Sequence, residues 1–448
     1  MNKKYIITAT ILLLTTICFI SLYKSNNEVS ELSGVIIEKS ANTITIQDEN
    51  NAIYTFTFDD MELSIGDSIL LKYTGLLDED MDLQKVEIID YSITPRTNNN
   101  FNIIEDDGIF SNYYELAKKK LNDMSLVEKI GQILLVRYSS NKALEDLKKY
   151  HFAGFVFFEN DFANKTKSEV IDMIDSLQKA SNIPLLTAVD EEGGNVVRIS
   201  SNPNLVSTKF LSSQELYNLG GLDKIAEDTK NKSKILKNLG LNLNLAPVVD
   251  VPAAPSDYIY PRSLGKNTDI TSQYAKTVIN ASKGTGVSYT LKHFPGYGNN
   301  SDTHLGSSID SRTYQDIVNN DIPPFEEGIK AGAEAVMVSH NIISSIDNNN
   351  PASLSKEVHS LLRNNLNFTG VIITDNLDMQ AVNNIDDAII KTITAGNDLI
   401  ITTDYVSDIN KIKTAIQNDT ITEEDIDNMA LRVLSWKYYK GLMFTNQK

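Results

Sequence analysis

Two rhythms of apolar and polar residues divide this chain. Between Gly34 and Ile93 the runs are short: GVIIEKS, TITIQDE, YTFTFDD, SILLKYTG and KVEIIDYS. Several alternate with a period of two, and Asn, Asp and Gly turns separate them. That pattern predicts a small all-β module over 31–94, OB-like or a related barrel. From Ser111 onward, strand-length apolar runs alternate with longer amphipathic segments. The strand candidates are ILLVRY (133–138), GFVFFEN (154–160), LLTAVD (185–190), LNLAPVVD (243–250), SYTLKHF (288–294), AVMVSHN (335–341), GVIITDN (370–376) and DLIITTD (398–404). Helical patterns lie between them, among them Lys167–Ala180, Leu222–Leu239 and Ser355–Leu366. Such alternation means βαβ units and a parallel sheet. Eight repeats favour an α/β (β/α)8 TIM barrel over 111–448, with an open doubly wound sheet as the alternative. The polar stretch 95–110, with its Asn run, reads as a linker.

The N-terminus is different again. Tyr5 to Tyr23 carries no charge, and Lys3 and Lys4 precede it. At about 1.5 Å per residue this run reaches roughly 28 Å, near the thickness of a bilayer core. Residues 1–24 are therefore expected to be a signal anchor, with a cleaved signal peptide as the alternative. Either reading exports the remainder, because the lysines mark the cytoplasmic side. The expected location is the outer face of the cell membrane, or secreted.

Composition narrows the partners. The 448 residues carry a formal net charge of −18, which argues against a nucleic-acid partner. The single cysteine, Cys18, excludes an intramolecular disulfide. A monomer is expected.

Each candidate strand ends near a polar group: Arg137, Glu159, Asp190, Asp250, His293, His340, Asp375 and Asp404. In TIM barrels the active site is built at that rim. The densest stretch is KHFPGYG (292–298), followed by Asn299 to His304. Asp302 and His304 are two apart, so in an extended loop both side chains face one way. A carboxylate there can orient the imidazole for proton transfer. A loop-stabilising contact is the plainer alternative, and His293, Asp302 and His304 as metal ligands is a third. Asp375 follows VIIT and should project into the barrel mouth. A carboxylate facing a proton donor on another loop is what glycoside cleavage needs. A third stretch, VDEEGG (189–194) with Arg198 nearby, places glycines where a tight turn approaches a ligand.

In order along the chain stand LNDMSLVEKIGQILLVRY, VDEEGGNVVR, GLNLNLAPVVDV, PRSLG, KHFPGYG, DTH and ITDNLDM. Together, over roughly 111–444, they resemble glycoside hydrolase family 3, and within it the single-domain β-N-acetylglucosaminidases. The resemblance implies that Asp375 is the nucleophile, His304 the general acid/base and Asp302 its dyad partner. It implies that Asp190, Arg198, Arg262, Lys292 and His293 hold the terminal sugar. His340 resembles a rim residue of less definite role. Related β-glucosidases commonly draw their acid/base from a second, C-terminal domain; here the chain ends about forty residues beyond its eighth strand. Asp302–His304 is then the available donor. Tyr297 stands where His or Asn is more usual, and Asn376 where a second Asp often follows the nucleophile.

The activity implied is retaining exo-hydrolysis of β-linked N-acetylglucosamine from peptidoglycan fragments, without metal or organic cofactor. A neutral histidine repels phosphate less than a carboxylate does, so phosphorolysis is the side reading. The alternatives are a family 3 β-glucosidase or β-xylosidase, and a non-catalytic surface sugar-binding protein.

Overall fold

The computed structural model describes residues 29–39, 43–48, 52–57, 68–78, 83–94 and 107–444. The expected anchor (1–24) and most of the expected linker (95–110) lie outside the described residues. Among the described residues no helix is long and apolar enough to cross a membrane.

Two compact units are present. The first holds an antiparallel sheet of five strands: β1 (Val29–Lys39), β2 (Thr43–Asp48), β3 (Ile53–Thr57), β4 (Ser68–Thr74) and β5 (Glu87–Thr94). They pair in the order β3-β2-β1-β4-β5. The long β1 serves two neighbours, with Val29–Val35 on β4 and Gly34–Lys39 on β2. The period-two alternation sends Leu32, Ile36, Ile44, Ile46, Tyr54, Phe56, Ile69, Leu71 and Tyr73 to one core.

In the second unit the eight expected strands all form and are parallel. They are β6 (Leu134–Arg137), β7 (Gly154–Phe157), β8 (Leu186–Val189), β9 (Leu243–Asn244), β10 (Ser288–Phe294), β12 (Ala335–Val338), β14 (Val371–Thr374) and β15 (Ile400–Thr402). The two-residue strands β11 (Ile309–Asp310) and β13 (Ile342–Ile343) pair separately at the rim. Spatial order follows chain order from β6 to β14, and β15 lies against β6. A bridge between Ile373 and Leu399 joins β14 to the residue preceding β15, which closes the ring. This is a TIM-like α/β barrel. The strands are buried almost throughout because both faces are covered, one by side chains inside the ring and the other by helices.

Most strands are shorter than their apolar runs. The run 243–250 gives only Leu243–Asn244, because Pro247 has no N–H to place in a ladder. Val248 rejoins by a single bridge to Lys292. The helix expected at 167–180 spans Lys167–Ala180, capped by Thr166 and Glu169 in a reciprocal box. The helix expected at 222–239 starts earlier, at Ser213, and kinks at Gly220 and Gly221. The one expected at 355–366 is α-helical over Lys356–Ser360 and continues as a π-turn over Leu361–Asn365. The helix Glu423–Tyr439 buries Trp436, whose indole N–H donates to Glu334 at 2.7 Å.

Candidate active site

Strand ends set the positions. Asp190 lies one residue past β8, Asp375 one past β14 and His340 two past β12. Lys292 and His293 belong to β10 itself. Neighbours on a strand ordinarily face opposite ways. Here the pairing of β10 with β12 slips between Lys292 and Phe294, and both side chains are buried with polar partners. Arg262 comes from the segment after β9, and Asp302 and His304 from the loop after β10.

The first group is a chain of ion pairs. Lys292 Nζ meets Asp190 at 2.8 Å and Glu192 at 2.7 Å. Arg262 grips Glu192 with Nη2 at 2.7 Å and Nε at 3.1 Å. Arg198 approaches Asp190 at 3.5 Å and lies over the Phe158 ring, which Arg137 also faces. Burial raises the Glu192 carboxyl, but Arg262 and Lys292 outweigh it and hold the group far below the usual carboxylate range. Burial pulls Lys292 down, yet Asp190 and Glu192 keep it charged. Three cations face two carboxylates, so the ring retains one positive charge among groups with donors to offer hydroxyls.

The second group is imidazole and carboxylate. His293 is hydrogen-bonded through Nδ1 to Asp250 at 2.9 Å, and Arg262 Nη2 lies 3.3 Å from its Nε2. The guanidinium can only donate, so Nε2 accepts and the proton sits on Nδ1. Asp250 also accepts the backbone N–H groups of His293 and Tyr297, at 3.1 and 2.7 Å. His340 donates from Nε2 to the Asn376 carbonyl at 3.0 Å, and its Nδ1 accepts from Ser353 at 2.7 Å. Burial holds its pKa below the ordinary histidine value. Asp375 lies in the barrel mouth, with the Asn376 N–H on its Oδ1 at 2.8 Å. Burial pushes its carboxyl up; His340, His293, the Asn376 N–H and His304 pull harder, and the net direction is down.

The third group is the 302–304 loop. Asp302 Oδ1 accepts both the Nδ1–H and the backbone N–H of His304, at 2.7 and 3.0 Å. The His304 side chain is 56% exposed, against 23% for Asp302. Burial raises the Asp302 carboxyl, but the bonds from His304 and from the Tyr258 hydroxyl lower it overall. Thr303, between them, is fully buried. Its hydroxyl lies 2.5 Å from the Tyr297 hydroxyl, and its carbonyl accepts the Ala381 N–H at 3.3 Å.

Asp190, Arg198, Arg262, Lys292, His293, Asp302, His304, His340 and Asp375 therefore lie in three groups that share His293, Arg262 and Asp375 as neighbours, whereas Glu159 and Asp404 are exposed at helix starts and join none of them. Sequence reasoning gave no role to Glu192 or Tyr258, and named Asp250 only as a strand-end group. Glu192 stands two residues after Asp190 in VDEEGG, and Tyr258 four before Arg262; those spacings are the signals that would have found them. Among the described residues no group of three or more His, Cys, Asp or Glu side chains converges as a metal site. Both His293 ring nitrogens already have protein partners.

The chain matches the family model described as glycosyl hydrolase family 3 N terminal domain over residues 125–436. It is 27% identical over 327 residues to the Beta-hexosaminidase LpqI of Mycobacterium tuberculosis, covering 69% of this chain and 82% of that one. It is 31% identical over 238 residues to a Beta-hexosaminidase of Xylella fastidiosa, covering 51% and 69%. Among solved structures, a glycoside hydrolase family 3 beta-N-acetylglucosaminidase from a Paenibacillus species superimposes with a TM-score of 0.67 at 27% identity. That match covers 71% of this chain and 63% of the other.

Proposed function

We propose, from the premise that this chain belongs to glycosyl hydrolase family 3, that it is a retaining exo-β-N-acetylglucosaminidase with Asp375 as nucleophile. The observation that carries the reading is the pairing of an ionised carboxylate in the barrel mouth with an oriented, solvent-facing imidazole on the loop after β10. The names of the relatives above support the sugar.

In the first step an Asp375 oxygen attacks the anomeric carbon. The glycosidic C–O bond breaks, and protonated His304 gives its proton to the leaving oxygen. In the second step neutral His304 takes a proton from water. That water attacks the anomeric carbon, the bond to Asp375 breaks, and the sugar leaves with net retention. Asp302 holds the imidazole through Nδ1, which aims Nε2 at the glycosidic oxygen. Asp190, Arg198, Arg262, Lys292 and His293 bind the hydroxyls of the non-reducing sugar.

The substrates are peptidoglycan-derived fragments met outside the cell, with residues 1–24 as the anchor. The strand order β3-β2-β1-β4-β5 is that of an OB-like barrel cut between β3 and β5. That module acts as a spacer between anchor and enzyme.

The test is hydrolysis of 4-nitrophenyl N-acetylglucosaminide, beside the glucoside and xyloside and with or without phosphate. Asp375→Ala and His304→Ala should each lower kcat by at least about 100-fold. Turnover near wild type in either variant sinks the assignment. Faster cleavage of the glucoside would replace the sugar, and a sugar phosphate among the products would replace water as the acceptor.

A further inference from the structure

Thr303 is out of keeping with its neighbours. Asp302 and His304 both reach solvent, yet the threonine between them is fully buried. A buried hydroxyl needs a hydrogen-bond partner. Here the partner is the Tyr297 hydroxyl, at 2.5 Å. Tyr297 stands at the root of the same loop and is itself fixed. Its N–H donates to Asp250 at 2.7 Å, its carbonyl accepts from the Asn300 amide at 2.8 Å, and its ring meets that of His293 edge to face at 5.1 Å. Burial and the Asp375 carboxylate hold the Tyr297 phenol above its ordinary pKa, so it keeps its proton. The Thr303 carbonyl has a different partner, the Ala381 N–H at 3.3 Å. Ala381 lies six residues after Asp375, on a segment seated against the barrel. There Leu377 donates its N–H to the Ile401 carbonyl at 3.0 Å, and Val382 is fully buried. One residue thus ties the loop after β10 both to its own root and to the segment that follows β14.

We infer that Thr303 is a positioning residue, held by Tyr297, that sets the distance between the proton donor and the nucleophile. The inference rests on His304 and Asp375 having those roles. A retaining mechanism needs both groups at one anomeric centre, the carboxylate on one side and the donor at the leaving oxygen. Asp375 is placed by the end of its strand. Asp302 orients the His304 ring, but the two ride on the same loop, so their bond cannot fix where the pair sits over the mouth. The two bonds of Thr303 do that, because their partners lie outside the 302–304 turn. A displacement of about 1 Å at the reacting atoms can cost on the order of 100-fold in rate. Neither bond of Thr303 goes to Asp190, Arg198, Arg262, Lys292 or His293. Removing its hydroxyl therefore leaves the contacts of the terminal sugar in place.

The experiment uses three variants of the full chain. Thr303→Val keeps the shape and removes the hydroxyl, Thr303→Ser keeps the hydroxyl, and Tyr297→Phe keeps the ring and removes its oxygen. Two substrates are compared, 4-nitrophenyl and unsubstituted phenyl N-acetylglucosaminide. Only the phenyl leaving group depends heavily on protonation. In Thr303→Val and Tyr297→Phe, kcat/KM should fall about tenfold for the phenyl substrate and much less for the nitrophenyl one. Thr303→Ser should recover most of that loss. The Thr303→Val/Tyr297→Phe double variant should lose no more than either single, as expected for the two ends of one bond. Inhibition by free N-acetylglucosamine should stay at its wild-type value. Equal losses on both substrates, a Thr303→Ser variant as impaired as Thr303→Val, or inhibition that weakens in step with activity overturns the inference and leaves Thr303 as packing. His304→Ala separates the two levels. If kcat/KM falls alike on both substrates in that variant, the acid/base assignment fails; if it falls more for the phenyl substrate there but not in Thr303→Val, only the positioning fails.

Discussion

Glu191 and Glu192 are adjacent, chemically identical, and put to opposite uses. Glu191 is buried and accepts the backbone N–H groups of Arg198, Ile199 and Ser200 together with the Ser200 hydroxyl, so it shapes the loop. Glu192 turns the other way and joins Arg262 to Lys292. Glu192→Gln leaves Arg262 with a neutral partner and Lys292 with Asp190 alone. Breaking such a buried pair costs roughly 3–5 kcal/mol, which a denaturant titration will read, and KM should rise as the cations lose their alignment. The sign of its pH dependence follows. The folded-state pKa of Glu192 is depressed, so its stabilisation is present above the unfolded value of about 4.3 and is lost as pH falls towards the folded value. Asp375 is depressed as well. The acid limb of kcat/KM should therefore lie below about 3.9, the ordinary aspartate value, and a limb near pH 6 would contradict an ionised nucleophile. Asp375, Lys292 and the Asp302–His304 pair were legible in the sequence because each sits at a strand end or in a short motif. Which of two neighbouring glutamates faces the mouth was not, since a backbone turn decides it.

At the scale of elements, the loop after β10 is set by where its glycines stand. Gly296 has φ of +133°, and a Cβ there would meet the Asp321 side chain at 2.3 Å. Asp321 is fixed in turn by Arg312, which also holds Asp310. Gly296→Ala should cost more than about 1 kcal/mol, from an unfavourable φ and a collision with a side chain that is pinned. The loss of activity should exceed what the lowered Tm explains, because Asp302 and His304 follow on the same loop. Thr374 offers a second check. Its hydroxyl, not a backbone carbonyl, accepts the Ile401 N–H at 3.0 Å, one residue before Asp375. Thr374→Val should lower the amide-exchange protection of Ile401. The apolar runs foretold all eight barrel strands, because burial on both faces writes itself into composition. They overstated the lengths, because residues at the mouth are also apolar or buried without being paired. The expected helix began at Leu222, just past Gly220 and Gly221; what escaped notice is the helical segment on their N-terminal side, from Ser213.

For the whole molecule, the division into an all-β unit and a barrel was visible as a change of period, from two to a repeat of strand and helix. If the barrel carries the chemistry alone, a chain beginning at Asp107 should hydrolyse the nitrophenyl substrate with the kcat of the full chain. A large fall in kcat with an unchanged Tm would give the all-β unit a part in catalysis. One asymmetry of the molecule reaches beyond geometry. In the site Asp190, Glu192, Asp250, Arg262 and Lys292 are sunk in the barrel, whereas the His304 ring is more than half in water. The turnover itself returns the proton to His304 from the attacking water. A ring that loses its proton outside the cycle exchanges with the bulk directly, with no internal wire to carry it, so at fixed pH the rate should not depend on how much buffer is present.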